Sequence, residues 1–181
     1  VIIPMYYEEE VAEECYKRLK KVLENIKNYE YEIIFINDGS KDNSLKIIEG
    51  IRKKDNRFEY ISFSRNFGKE IAIIAGLDYS RKSDAVIIMD ADLQDPPELI
   101  PEMLKYWEEG YDDIYAKRRT RGEESWLRRQ FSLAFYGILQ RMSRIDILPN
   151  VGDFRLLDRR CVLTLRRLRE CERYTKGLFC W

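Results

Sequence analysis

The sequence predicts an α/β fold with a mainly parallel sheet covered by helices. Short apolar runs alternate with longer segments of helical periodicity, which is typical of strands joined by crossover helices. Hydrophobic residues make up 45% of the 181 residues, enough to bury one core. Acidic and polar residues follow directly after several apolar runs, at the sheet edge where open parallel sheets bind ligands.

The period of the apolar residues places the elements along the chain. It predicts strands over residues 1–4, 31–37, 58–63, 85–89, 112–116 and 154–157. It predicts helices over 8–27, 43–54 and 69–81, then one between the Pro-rich turn at 95–97 and about 109, one over 124–143 and one from 159 onward. We therefore expect each of the first strands to be followed by a helix that crosses over to the next.

The composition excludes several kinds of chemistry. The chain has no histidine, which removes Ser-His-Asp and Cys-His pairs, two-histidine zinc sites and zinc deaminase chemistry. Any acid, base or metal ligand should therefore be a carboxylate. The 32 Lys and Arg residues balance 32 Asp and Glu residues, so no overall field indicates nucleic acid as a partner. The four cysteines have no C-x-x-C spacing and are expected to be free thiols in a reducing compartment.

Asp90 and Asp92 follow the fourth apolar run, two residues apart. If strand geometry continues to them, both carboxylates face the same side and can share a hard divalent cation, Mg²⁺ or Mn²⁺. Such a cation would bridge the protein to a diphosphate and stabilise it as a leaving group. The alternative is a solvated acidic turn that precedes the helix at Pro97.

Five strings, in order and over nearly the whole chain, resemble the family 2 glycosyltransferases, in particular the polyprenyl-phosphate glycosyltransferases of the bactoprenol glucosyltransferase and dolichol-phosphate mannose synthase type. The strings are Val1-Ile2-Ile3-Pro4 with Glu8-Glu9, Asn37-Asp38-Gly39-Ser40-Lys41-Asp42, Ser64-Arg65-Asn66-Phe67-Gly68-Lys69-Glu70, Asp90-Ala91-Asp92-Leu93-Gln94-Asp95-Pro96-Pro97-Glu98 and Gly152-Asp153-Phe154-Arg155-Leu156. The resemblance implies a GT-A (Rossmann-like) fold, a nucleotide-sugar donor and a divalent metal.

The resemblance also implies roles for individual residues. It assigns the nucleotide to Pro4, Tyr6, Glu8, Asp38, Asp90 and Ala91, the metal to Asp90, Asp92 and Gln94, and catalysis to Asp92 and Asp153. Tyr7 departs from the pattern, because the family usually has Asn before the acidic pair. Asp153 matches a carboxylate that acts as a base or orients the acceptor, and a phosphate acceptor needs little deprotonation because its second pKa is near 6. The alternative for Asp153 is an Asp that bonds to backbone at a strand entry.

A basic segment over residues 117–129 has six Lys and Arg residues against two Glu residues. Arginine binds phosphate in a bidentate manner, and the resemblance places Arg118, Arg128 and Ser132 near a lipid phosphate. Ordinary solvated charge is the alternative. The helix predicted over 124–143 is apolar around most of its circumference, which favours either contact with a membrane surface or burial in a homo-oligomer or under further chain.

We therefore expect residues 1–181 to form the catalytic domain of a longer protein, cut at both ends and followed by transmembrane helices. The expected activity is metal-dependent, inverting transfer of a hexose, with glucose favoured, from a UDP-sugar to a polyprenyl phosphate at the cytoplasmic face of the cell membrane. The string that contains Gly68 and Lys69 is closer to the bactoprenol branch, which favours UDP over GDP. Two alternatives are extension of a cell-surface polysaccharide and a non-catalytic scaffold that binds nucleotide sugars.

Overall fold

The computed structural model describes residues 1–80, 82–117 and 151–167. The strands in these ranges are β1 (Ile2–Met5), β2 (Ile33–Asn37), β3 (Phe58–Ser62), β4 (Ala85–Ile88), β5 (Asp113–Lys117) and β6 (Val151–Asp158). The helices are α1 (Ala12–Glu24), α2 (Ser44–Arg52), α3 (Lys69–Tyr79), α4 (Ile100–Glu108) and α5 (Arg159–Arg167), and a 3-10 turn at Pro97–Leu99 precedes α4. These elements match the predicted order. The helix predicted over 124–143 lies outside the described residues.

The strands form one sheet in the order β3-β2-β1-β4-β6-β5. β1 pairs in parallel with β2 and β4, and β2 pairs in parallel with β3. β6 is antiparallel to both of its neighbours, β4 and β5. The prediction of a mainly parallel sheet covered by helices is therefore confirmed, and the sheet is mixed because of β6.

Side chains that alternate along the central strands supply two cores, one on each face of the sheet. Ile3 and Phe35 pack with buried residues of α1, α2 and α4 on one face. Ile2 and Ile34 pack with buried residues of α3 and α5 on the other. Strands whose two faces are both covered in this way consist of nearly continuous apolar residues, as the Ile33–Asn37 strand does. Helix layers on both faces leave the strand ends as the place for a site.

The thiols of Cys15 and Cys161 are free, as the spacing predicted. Burial raises the pKa of Cys15 to about 12, so this thiol is a packing residue of α1 and is unreactive near neutral pH. Cys171 and Cys180 lie outside the described residues. Among the helices that the structure describes, none has the length and apolar character needed to cross a bilayer.

A buried carboxylate ties α1 to the connection between α2 and β3. Asp55 is 7% exposed and accepts hydrogen bonds from Tyr16 Oη at 2.7 Å, Lys20 Nζ at 2.7 Å and the backbone N–H of Arg57 at 2.9 Å. Burial by itself raises the pKa of Asp55, but these hydrogen bonds outweigh it and hold the pKa well below its usual range. The charged form of Asp55 therefore stabilises the fold.

Replacing this carboxylate, Asp55→Asn, should lower the free energy of unfolding by about 2 kcal/mol at pH 7, because charge-assisted hydrogen bonds are lost. Since the pKa is lower in the folded state, the contribution is present above about pH 4 and is lost as the pH falls. Urea denaturation at pH 7 and pH 3 should show a smaller difference between variant and parent at pH 3. The control is Asp84→Asn, whose side chain is 84% exposed. An equal loss at both pH values would contradict the interpretation.

Candidate active site

A cleft of about 270 Å³ opens at the edge of the sheet where β1, β2 and β4 end. All six residues predicted to bind the nucleotide line this cleft, together with one further predicted metal ligand: Pro4, Tyr6, Glu8, Asp38, Asp90, Ala91 and Asp92. A larger cavity of about 390 Å³ lies at the opposite edge, beside Trp107, and contains none of them. Open parallel sheets bind ligands at the carboxyl ends of their strands, so we take the first cleft as the candidate active site.

The chain turns sharply after β1, at Tyr6 and Tyr7. Tyr7 has a φ of 58°, a left-handed conformation that Asn adopts more readily than an aromatic residue does. The backbone N–H of Tyr7 donates to Ser40 Oγ and that of Glu8 donates to Ser44 Oγ, both at 3.0 Å. The rings of Tyr6 and Tyr7 meet edge to face with centroids 4.5 Å apart. These contacts hold a tyrosine where the resembled pattern has Asn.

Asp38, at the end of β2, binds the loop that leads into α3. Its Oδ1 accepts from the backbone N–H of Phe67 at 2.7 Å and its Oδ2 from that of Gly68 at 2.8 Å. The next residue, Gly39, has a φ of 69° and lies so close to Arg65 that a Cβ atom would be 2.3 Å from the Arg65 carbonyl carbon. Asp38 is 3% exposed, and each of its oxygens keeps a second lone pair. Asp38 thus stabilises the loop before α3 through two hydrogen bonds that the sequence did not predict.

Asp90 and Asp92 lie beyond the end of β4, which stops at Ile88. The sequence analysis expected both carboxylates to face the same side because strand geometry would continue to them. Strand geometry does not continue, because the chain enters a turn in which Leu93 has a φ of 61°. The carboxylate of Asp92 accepts from the backbone N–H of Gln94 at 3.0 Å. Asp90 is half-buried, whereas Asp92 and Gln94 are exposed. The two carboxylates therefore belong to a turn at the mouth of the cleft.

Negative charge accumulates in this cleft. Burial raises the pKa of Glu8, and the nearby carboxylates of Asp92, Asp90 and Asp42 raise it further. Burial also raises the pKa of Asp90, although Lys69 acts in the opposite direction. Neighbouring carboxylates raise each other's pKa because their negative charges repel, and a bound cation reduces this repulsion.

The donor atoms fit a hard divalent cation. Carboxylate oxygens are the ligands that Mg²⁺ and Mn²⁺ prefer, and the turn offers two carboxylates, Asp90 and Asp92, with Gln94 beside them. In the part of the chain that the structure describes, no group of three Asp, Glu, Cys or His side chains is arranged to hold a metal ion. The residues therefore fit a cation held by one or two carboxylates and completed by water and substrate phosphate, as is usual for Mg²⁺.

Asp153, in β6, contacts Lys69, which lines the cleft. The antiparallel register pairs Ile88, the last residue of β4, with Arg155 of β6, so the start of β6 lies at the edge of the sheet where Asp90 follows β4. Lys69 Nζ lies 2.6 Å from Asp90 Oδ1 and 2.6 Å from Asp153 Oδ2. Burial lowers the pKa of Lys69, but its hydrogen bonds to Asp153 and Asp90 outweigh this effect and hold it above the usual value. One ammonium group thus joins the predicted metal ligand to the predicted acceptor residue.

Lys69 is a charged site residue that the sequence analysis missed, and Met5, Asn66, Gly68 and Ala72 also line the cleft without having been predicted. A signal was present, since Lys69 is the first residue of α3, where the helix dipole disfavours a positive side chain.

The predicted acceptor residues Arg118, Arg128 and Ser132 lie outside the described residues. β5 ends at Lys117 beside the start of β6 at Val151. Because β5 runs in the same direction as β4, both points are at the edge of the sheet that carries the cleft.

A mixed α/β sheet with a carboxylate-lined cleft at the ends of its parallel strands is the architecture of the GT-A glycosyltransferases. Residues 1–165 match the family model described as Glycosyl transferase family 2, and the chain belongs to this family. It is 49% identical over all 181 residues to the uncharacterized glycosyltransferase sll0501 of Synechocystis, and covers 56% of that protein. It is 42% identical over the same span to the bactoprenol glucosyl transferase of Shigella phage SfX, and covers 59% of it. The chain thus spans little more than half the length of these relatives.

Solved structures agree with the fold. The mannosyltransferase PcManGT from Pyrobaculum calidifontis, in complex with GDP-Man and Mn²⁺, has a TM-score of 0.61 and 16% identity over 91% of this chain and 45% of that one. TarS 1-349 from S. aureus, in complex with UDP, has a TM-score of 0.60 and 17% identity over 99% of this chain and 52% of that one. At these identities the likeness concerns the fold alone.

Gly39→Ala should lower the free energy of unfolding by more than about 2 kcal/mol, because it adds a backbone clash to the strain of a positive φ. Gly110→Ala is the matched control, since Gly110 has a φ of 98° with nothing within 4 Å of an added Cβ. The control variant should lose only about 1 kcal/mol, from φ strain alone. Urea denaturation of both variants measures the difference. Equal losses would show that the contact with Arg65 is unimportant.

Proposed function

We propose that this chain carries the catalytic site of a metal-dependent, inverting glycosyltransferase that moves a hexose from a UDP-sugar to a polyprenyl phosphate. The observation that carries the proposal is that Asp90 and Asp92 line one cleft of a family 2 fold, in which Lys69 joins Asp90 to Asp153. Lys69 Nζ donates to both Asp90 and Asp153. The site therefore offers one carboxylate group for a donor and another for an acceptor.

On the donor side, we assign the nucleotide to the residues that line the cleft. Tyr6 is 44% exposed, and its ring offers an apolar surface to a base, while Glu8 and Asp38 have carboxylate oxygens that can accept from base or ribose donors. Pro4 and Ala91 also line the cleft. Asp90, Asp92 and Gln94 are the proposed cation ligands. A bound Mg²⁺ or Mn²⁺ supplies neutralising charge to the departing diphosphate.

On the acceptor side, we assign Asp153 to orienting the attacking phosphate. A phosphate oxygen is already a nucleophile near neutral pH, since the second phosphate pKa is near 6, so Asp153 need not remove a proton. Its contribution is then to hold the acceptor in line with the anomeric carbon of the sugar. Arg118, Arg128 and Ser132 are proposed to bind the acceptor phosphate.

The relatives named bactoprenol glucosyl transferase support both the sugar and the lipid acceptor in this proposal. We accordingly propose glucose as the hexose, and the cytoplasmic face of the membrane, where a polyprenyl phosphate presents its head group, as the place of action. Solved structures of the same fold hold UDP in one case and GDP-Man with Mn²⁺ in the other, so they are compatible with a nucleotide donor and a divalent cation. The choice of uridine rests on the resemblance of the string around Gly68 and Lys69 to the bactoprenol branch. These relatives extend beyond the matched region, and we propose that the membrane-spanning helices are outside residues 1–181.

Thermal unfolding with UDP or GDP, with and without Mn²⁺, tests the donor site. A ligand at about 100 times its dissociation constant should stabilise the chain by roughly 2.7 kcal/mol, and we expect this effect with UDP and Mn²⁺ together. Asp92→Asn should lose the part of the stabilisation that depends on Mn²⁺. Asp84→Asn, an exposed aspartate at the opposite edge of the sheet, should keep it. A preference for GDP would contradict the uridine assignment, and an unchanged Asp92→Asn response would contradict the cation assignment.

Transfer from UDP-glucose by the full-length protein tests the acceptor. With polyprenyl phosphate as acceptor we expect a monosaccharide product that extracts into organic solvent, and Asp92→Asn should lower the turnover at least a hundredfold, because the leaving diphosphate loses its cation. A longer, water-soluble glycan would instead indicate polysaccharide extension. Donor binding without hydrolysis or transfer would indicate a scaffold.

A further inference from the structure

The antiparallel pairing of β4 and β6 creates an electrostatic conflict in the cleft. Asp90 follows the end of β4 and Asp153 lies in β6, and one oxygen of each carboxylate lies 2.6 Å from the same ammonium. Like charges this close destabilise the pair of strands that carry them. Lys69 Nζ lies between them, 2.6 Å from one oxygen of each carboxylate and 2.8 Å from the second oxygen of Asp90. The ammonium therefore relieves the conflict from a third element, α3.

Lys69 is held in this position by the backbone before it. It follows Gly68, whose φ of 96° ends the preceding loop and starts α3, and the Gly68 N–H donates to Asp38 at 2.8 Å. A lysine at the first position of a helix works against the helix dipole. The dipole of α3 thus disfavours a lysine at this position, and the tertiary contacts of Lys69 with Asp90 and Asp153 compensate for this cost.

We propose that Lys69 is a positioning residue that couples cation binding at Asp90 to the orientation of Asp153. This inference rests on the proposed function. The ammonium contacts both oxygens of Asp90, and these are the atoms that a cation would approach to about 2.1 Å. Two positive groups on one carboxylate repel each other, so a cation at Asp90 drives Lys69 towards Asp153. Lys69 then orients the acceptor carboxylate when the donor side is filled.

Lys69 and a cation compete for Asp90, and this competition favours binding of the cation together with the nucleotide. A bare cation meets the ammonium and binds weakly, whereas a cation that arrives with a nucleoside diphosphate brings negative charge that offsets the repulsion. Lys69 thereby makes cation binding depend on the nucleotide. Before the donor binds, Lys69 is shared between Asp90 and Asp153. Once the donor has bound, Lys69 contacts Asp153 and no longer Asp90.

Binding of Mn²⁺ without nucleotide, measured by electron paramagnetic resonance of the free ion, tests the competition. Lys69→Met should raise the Mn²⁺ affinity about tenfold, because a positive charge next to the site is removed. Lys69→Arg keeps the charge and should stay close to the parent chain. Lys53→Met is the matched control, since Lys53 is exposed at the end of α2, and should leave the affinity unchanged. A lower or unchanged affinity in Lys69→Met would overturn the proposal, because damage to the fold lowers affinity and competition raises it.

A second pair of variants covers the case in which Lys69→Met does not fold because two carboxylates face each other without a counter-ion. Asp153→Asn removes one of these charges, so Lys69→Met can be introduced into that background. The double variant should bind Mn²⁺ more tightly than Asp153→Asn alone. An equal or weaker affinity in the double variant would overturn the proposal.

Steady-state transfer by the full-length protein tests the coupling. Lys69→Met should lower kcat at least tenfold with the KM for the donor changed less than threefold, because Asp153 loses its orienting contact. Lys69→Arg should recover part of kcat. If parent and Lys69→Met transfer at the same rate, the coupling is wrong while the proposed function stands. If the parent binds no Mn²⁺ in the presence of UDP, the proposed donor site is itself wrong.

Discussion

The ion pairs of Lys69 with Asp90 and Asp153 are the interaction on which the site depends. Parallel strands send their carboxyl ends to one edge of the sheet, and in this chain those ends carry acidic side chains. Gathering carboxylates in one cleft is unfavourable unless positive charge is supplied. Within the described residues, the half-buried ammonium of Lys69 supplies it from α3, between the two carboxylates that the family resemblance assigns to opposite sides of the reaction.

Hydrogen bonds from two backbone N–H groups to Asp38 fix the point at which α3 begins, and therefore the position of Lys69. The two oxygens of Asp38 accept from the backbone N–H groups of Phe67 and Gly68, and hydrogen bonds to an ionised carboxylate are among the stronger ones in proteins. The close approach of Gly39 to Arg65 brings the two loops together. The ends of β2 and β3 thus hold each other, and α3 starts from a fixed point.

β6 brings the other half of the site into the cleft. Its Arg155 is 2% exposed and donates to Asp113 of β5 at 2.9 Å, so a buried ion pair ties the last two strands together. Removing one partner of such a pair would leave an uncompensated buried charge. The antiparallel direction of β6 matters for the site, because the strand starts at the edge where β4 ends. Asp153, near its start, therefore lies beside the turn that carries Asp90 and Asp92.

The α/β class, the order of the elements and the family follow from the amino-acid sequence, because the apolar period and the strings around Asp38, Asp90 and Asp153 are properties of contiguous residues. Strand ends also indicated which side chains would line one cleft. The contact of Lys69 with Asp90 and Asp153 was decided by tertiary structure, since it joins residues 21 and 84 positions apart. The turn that replaces strand geometry at Asp92 and the direction of β6 were decided there too. Both depend on packing and pairing between distant segments, which no local pattern encodes.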